Sequence, residues 1–178
     1  MEQTKTNTAL TYGLIGGIIT IVYMLLLYIG GLEIYTGILA FGAYLIPIVT
    51  AVMGGIKEKK LQGGYLSFKG ALKTVFLIFL IISLLTTIFN HLLLNVIDVP
   101  FRQALMQDAA VKMEKMMTKL GAPQDTIDKA LNDLDNPENY SFGKIMLGFF
   151  WGAIVWFIIS LIIAAIIKKK RPEFENQI

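Results

Sequence analysis

The chain has 178 residues, 55% hydrophobic and 16% charged, with a net charge of +3 and a mean hydropathy of +0.63. Soluble domains carry about 25% charged residues, so the composition places this chain in the membrane class. It contains no cysteine, which excludes disulfides, thiolate nucleophiles, zinc–thiolate sites and a lipidated N-terminal cysteine, and leaves the compartment open.

The first apolar run covers about residues 9–29. It is longer than the ~7–15 residues of a cleavable signal core, and no A-x-A site follows. It reads as an uncleaved first span, ended by Gly30-Gly31. The link to Thr36 is so short that the next span must return antiparallel beside the first. That second span covers about residues 37–56, with Pro47 as a helix kink in its middle. Gly54-Gly55 is expected to end it, before Lys57, Lys59 and Lys60.

The third run, residues 67–99, organises the chain. Ser67 is a plausible N-cap, and the span itself is expected over about residues 68–98, closed by Pro100. Spanning needs about 20 residues, so this helix is long enough to cross a bilayer and project beyond it. Lys69 and Lys73 lie in its first turns, where they can snorkel to headgroups.

Residues 101–140 form the one polar insert and read as two amphipathic helices. Phe101, Leu105, Ala109, Met113, Met116 and Leu120 share one helical face. Gly121 is a suitable C′ residue and Pro123 a suitable first residue for the second helix. That helix carries Ile127, Ala130, Leu131 and Leu134 at i, i+3, i+4 and i+7, and Asn136-Pro137 stops it. The fourth span covers about residues 144–167, with Ser141 as its cap. The basic run Lys168, Lys169, Lys170 and Arg171 follows, and residues 173–178 are expected to lack order.

Topology follows from the distribution of lysine and arginine. With the N-terminus inside, the inner segments hold Lys5, Lys57, Lys59, Lys60, Lys69, Lys73, Lys168, Lys169, Lys170 and Arg171, ten in all. The outer segments hold Arg102, Lys112, Lys115, Lys119, Lys129 and Lys144, six in a far longer loop. That loop is below the ~60 residues to which the positive-inside rule applies. Both termini are therefore expected in the cytoplasm and the helical hairpin outside. The fold class expected is an all-α integral-membrane bundle of four transmembrane helices with a small extracytoplasmic hairpin between helices three and four.

Chemistry-bearing residues are few. His91, the one histidine, forms an i, i+4, i+8 stripe with Thr87 and Asn95, and Asn90 and Asp98 complete a polar cluster. Polar groups at membrane depth often mark function, but near a boundary they also bridge helices. One histidine cannot make a multi-histidine metal site. Met106, Met113, Met116, Met117 and Met146 could present thioethers to Cu(I); as gap-filling side chains they read as packing or as a partner face. That face comprises Leu105, Met113, Met116, Met117 and Leu120. Gly13-x-x-x-Gly17 and Gly148-x-x-x-Gly152 read as close-packing positions within the bundle. The basic run after the fourth span is explained by topology and anionic lipid, so no nucleic-acid partner is expected. No phosphate loop, nucleophilic triad or intramembrane carboxylate pair is present, and no cofactor is expected.

The order of these features resembles the bacterial membrane-protein family grouped as domain of unknown function 4199. The residues carrying the likeness are Gly64-Tyr-Leu-Ser-Phe-Lys-Gly-Ala-Leu-Lys73, Met116-Met-Thr-Lys-Leu-Gly121, Asp125-Thr-Ile-Asp-Lys-Ala-Leu131, and the stretch 149–170 with its Ile-Ser-Leu-Ile-Ile-Ala-Ala-Ile-Ile-Lys-Lys ending. Ala122-Pro123-Gln124 departs from the Ser-Glu-Glu-like cap expected there. The resemblance implies four spans and a bacterial cytoplasmic membrane, and lends no activity. The favoured function is a non-enzymatic membrane protein whose outer hairpin binds a membrane or extracytoplasmic protein or serves as an accessory. A homo-oligomeric transporter or channel, with Pro47, Thr50 and the His91 stripe lining its path, is the alternative. An enzyme using His91 and Asp98 as an acid–base pair is the third.

Overall fold

The structure is a computed structural model and describes residues 7–134 and 136–170. The expectation for residues 173–178, and the placement of Lys5 and Arg171, lie outside the described residues. Helix α1 runs Thr8–Ile29, α2 is the short Leu32–Tyr35, and a 3-10 turn, Ile38–Phe41, leads into α3, Gly42–Leu61. Helix α4, Phe68–Leu92, continues as a π-helical segment, Leu93–Ile97. Helices α5, Val99–Lys119, and α6, Gln124–Leu134, form the polar insert, and α7 is Phe142–Ile167. Among the described residues the only β-type pairing is a bridge between Leu66 and Lys169.

Four of these segments are long and apolar enough to cross a membrane: Thr8–Ile29, Ile38–Leu61, Phe68–Ile97 and Gly143–Ile167. Their outward faces carry Ile18, Leu26, Val49, Phe150 and Ile162, all exposed. Exposed apolar faces of this kind suit a lipid surrounding, in which burial is reserved for close packing and hydrogen bonding. Three buried hydroxyls satisfy themselves on their own helix. Thr20 donates to the Gly16 carbonyl at 2.7 Å, Thr50 to Ile46 at 2.7 Å and Ser160 to Trp156 at 2.6 Å. Each hydroxyl donor is thereby paired with a carbonyl one turn back.

Helix α4 is the central post and packs against α1, α3 and α7. Its Ala71, Val75, Ile78, Phe79 and Ile82 are buried, together with Ala9, Ala51, Ile163, Ala164 and Ile167. This core fills the half of the bundle where α1 and α4 begin and α3 and α7 end. At that end Lys59 Nζ donates to the Ile167 carbonyl at 2.8 Å, a cation on the last orphan carbonyls of α7. Leu66 and Lys169 exchange backbone hydrogen bonds of 2.9 and 2.8 Å. Lys168 and Lys169 lie over the rings of Phe68 and Tyr65, while Lys57, Lys60 and Lys170 are exposed.

Three sequence expectations are corrected here. Gly54-Gly55 does not end the second span, because α3 continues to Leu61. Both glycines are buried contact points instead. A Cβ on Gly55 would lie 2.8 Å from Ile167, and one on Gly54 would strike Ile78 and Tyr12. The helix stops beyond the lysines, at Gly63 and Gly64, whose φ values of 72° and 87° break the helical path. Pro100 does not close α4. Asp98 separates the π segment from α5, and Pro100 stands in the first turn of α5, where its missing N–H is harmless. Pro123 precedes α6 rather than opening it.

Gly13 and Gly17 lie on the α1–α4 contact, where a Cβ would come within 2.7 Å of Ile81 and 2.5 Å of Leu85. Gly148 and Gly152 do not pack in the bundle: nothing stands within 4 Å of a Cβ built on either. The reason is the course of α7. It is seated on the core from Trp156 to Ile167, with Trp156 stacked on Phe79 at 4.5 Å, and its preceding turns face a cavity.

Candidate functional site

The polar end of α4 shapes that cavity. An α-helix places Thr87, His91 and Asn95 on one face. Beyond His91 the ladder widens, and Asp98 N–H donates to the Leu93 carbonyl, five residues back, at 2.8 Å. Such π segments recur at functional sites. Asn95 then lies between two partners. Arg102 Nη1 donates to its Oδ1 at 2.6 Å, and its Nδ2 lies 3.2 Å from His91 Nδ1. Asn90 Oδ1 accepts from the Tyr35 hydroxyl across a long 3.5 Å.

Asp98 belongs to a different construction. Its carboxylate accepts from the Tyr28 hydroxyl at 2.6 Å and caps α5 by accepting from Phe101 N–H at 2.9 Å. These bonds, Tyr28 first and Phe101 second, hold the Asp98 carboxyl below its ordinary range against an opposing desolvation. The Phe101 ring stands edge-on to Tyr28 at 4.8 Å and to Tyr35 at 5.3 Å. Asp98 and His91 share no hydrogen bond, so the geometry does not assemble the acid–base pair considered from sequence. Farther along α5, Lys112 pairs with Asp108 at 2.6 Å and reaches the Thr36 carbonyl at 3.4 Å. The Lys112 hydrogen bond lowers the Asp108 carboxyl, with burial working against it. Burial raises the Tyr35 phenol, and the neighbouring Tyr44 adds to it. Together these contacts tie α5 to the ends of α1 and α2.

The cavity has a volume of about 690 Å³ and is bordered by α1, α2, α3, α4 and α7. Thr87, Asn90, His91 and Asn95 line one wall, with Tyr35 and Tyr44 nearby. Leu27, Pro47, Ile82 and Trp156 supply apolar surface, and Ile145, Gly148, Phe149 and Gly152 form the α7 side. Of the polar cluster read from sequence, Asp98 alone does not border it. Thr50 does not border it either; it lies against Gly16. Among the described residues no group of three or more His, Cys, Asp or Glu could hold a metal ion.

The insert's apolar face is divided. Leu105, Met113 and Met117 are half-buried, while Met116 and Leu120 are 57% and 78% exposed. Helix α5 packs on α6, where Ile127 is buried, and on the π segment and α2. Gly121, at φ 74°, lets the turn close, with Gly121 N–H to Thr118 and Ala122 N–H to Met117, both 3.0 Å, the paired bonds of a Schellman end.

Sequence reading missed Tyr28, Tyr35, Tyr44, Phe149 and Arg102. Arg102 had a signal, lying two helical turns after Asn95. The tyrosines had only the general enrichment of aromatic residues at membrane boundaries.

A family model described as "Protein of unknown function (DUF4199)" matches residues 11–169. No curated protein and no solved structure matches the chain.

Proposed function

We propose a function from geometry for this chain, which belongs to the DUF4199 family of proteins of unknown function: it is a multi-pass membrane protein that binds a small amphipathic ligand inside its helix bundle. The observation carrying this reading is the cavity of about 690 Å³ with a polar wall on α4 and apolar surface below. That volume falls in the ~300–1,000 Å³ range of small-molecule sites. The arrangement favours binding over turnover, because Asp98 is engaged by Tyr28 and Phe101 and, among the described residues, His91 bonds to Asn95 rather than to an acid.

The membrane is a bacterial cytoplasmic membrane, with both termini inside and the α5–α6 insert outside. Support comes from the lysines gathered where α3 ends, α4 begins and α7 ends, set against the mixed charge of the insert. A second reading, in which the insert also docks a partner protein, is favoured by the exposure of Val111, Met116 and Leu120 on α5.

Native mass spectrometry of the full chain, extracted in mild detergent, tests the cavity. An amphiphile bound at one per chain is expected in the wild type and absent from Gly152→Phe, which fills the α7 side. Identical adducts on both proteins would remove the reading.

A further inference from the structure

We infer that the cavity takes an uncharged, single-chain amphiphile whose head carries carbonyl acceptors, and that His91 Nε2–H is the donor that reads this head; the inference rests on the ligand-binding reading above. The argument begins at Arg102. A guanidinium has donors only, so the Asn95 atom 2.6 Å from it is the carbonyl oxygen. The opposite Asn95 terminus is then the NH₂ group, which lies 3.2 Å from His91 Nδ1. An amide NH₂ only donates, so Nδ1 is the unprotonated, accepting nitrogen, and the neutral imidazole carries its proton on Nε2.

His91 borders the cavity, and among the described residues Nε2 has no protein partner. Asn90 borders the cavity beside it, and with its Oδ1 taking the Tyr35 hydroxyl across 3.5 Å its NH₂ adds a second donor. The wall therefore offers N–H donors, which suit carbonyl oxygens. Among the described residues that border the cavity there is no Asp, Glu, Lys or Arg. A charged head would meet no charged side chain on that lining, and the nearby Arg102 guanidinium is engaged with the Asn95 carbonyl oxygen, so desolvation of such a head is costly at membrane depth. Leu27, Ile82 and Trp156 give a tail its apolar surface. The volume accommodates a compact head and one chain, not a whole two-chain phospholipid.

The two tryptophans make the test direct. Trp156 borders the cavity and Trp151 is exposed, so Trp151→Phe leaves a single reporter at the site. The full chain carrying that change is placed in nanodiscs and titrated with a dibrominated C18 chain bearing a methyl ester, a carboxylate or an ammonium head. Bromine quenches tryptophan on contact. The methyl ester is expected to quench saturably, at a concentration at least about tenfold below the two charged heads. His91→Leu is expected to weaken the ester about fivefold, the loss of one hydrogen bond, and His91→Gln, which keeps an N–H donor, to recover part of it. Equal half-saturation for all three heads overturns the ligand class and leaves cavity binding standing. No saturable quenching by any head, or quenching unchanged in Gly152→Phe, overturns cavity binding itself. Should His91→Leu not fold, the comparison of heads on the otherwise unaltered chain decides.

Discussion

The Tyr28 hydroxyl and the Asp98 carboxylate, 70 positions apart in the chain, meet at 2.6 Å. This bond pins the end of α4 to the end of α1 at the point where the chain turns into α5. The same carboxylate caps α5, so one side chain sets where the central helix ends and where the insert begins. Arg102, one turn into α5, is thereby held over Asn95, and the insert is linked to the cavity wall.

That link is pH-dependent, with a definite sign. The folded Asp98 carboxyl lies below its ordinary value of 3.8. Its contribution is complete above that ordinary value and is lost as pH falls through the lowered one. Wild type should unfold at higher temperature than Asp98→Asn at pH 7, and the gap should narrow progressively once pH falls below the ordinary carboxyl value of 3.8. Thermal unfolding monitored from pH 7 to pH 2.5 checks this; a gap that is undiminished at the acid end contradicts it.

The glycines divide into two classes. Gly16→Leu places a side chain against Ile82 and Thr50, within 2.7 Å of each, and should cost about 1–3 kcal/mol. Gly148→Ala meets open space, so it should be neutral, or stabilise by up to about 1 kcal/mol through helix propensity. Reversible unfolding of both variants in mixed micelles separates the two.

Ile127, 2% exposed, is the one fully buried side chain of α6. Ile127→Ala should cost about 2–5 kcal/mol if the insert unfolds with the rest. We expect the loss to be local. Hydrogen exchange should quicken across α5 and α6 and stay slow in the α4 core around Phe79.

The orientation in the membrane is open to direct labelling, because the chain has no cysteine. Single cysteines at Gln62 and Thr118, both exposed, report the two sides. In intact cells a membrane-impermeant maleimide should label Thr118→Cys and spare Gln62→Cys; the reverse pattern inverts the topology.

The single histidine makes the tautomer observable. Nitrogen-15 spectra of histidine-labelled protein at pH 8 should show one neutral form, protonated on Nε2. Asn95→Leu or Arg102→Leu should give a mixture, since nothing then holds Nδ1 as the acceptor. An Nδ1-protonated wild type would break the chain of inference from Arg102.

The four spans, their order and the Ser67 and Ser141 caps were legible in the sequence because each depends on local chemistry. Long apolar runs have one stable form in lipid, a helix that satisfies its own backbone, and a serine before such a run caps it from within its own turn. The polar stripe on α4 was legible for the same reason, as a matter of helical period. Its surroundings were not. Whether a glycine marks a helix end or a contact depends on what faces it, which is why Gly54 and Gly55 proved to be packing points and Gly148 and Gly152 cavity wall. Asp98 was grouped with His91 by proximity along the helix, yet a π turn and a tyrosine from another span drew it away. Only the tertiary structure decided these matters, because a membrane gives every apolar surface an acceptable neighbour in lipid. The choice among lipid, helix and cavity is then set by shape and hydrogen bonding between segments distant in the chain, and hydropathy records neither.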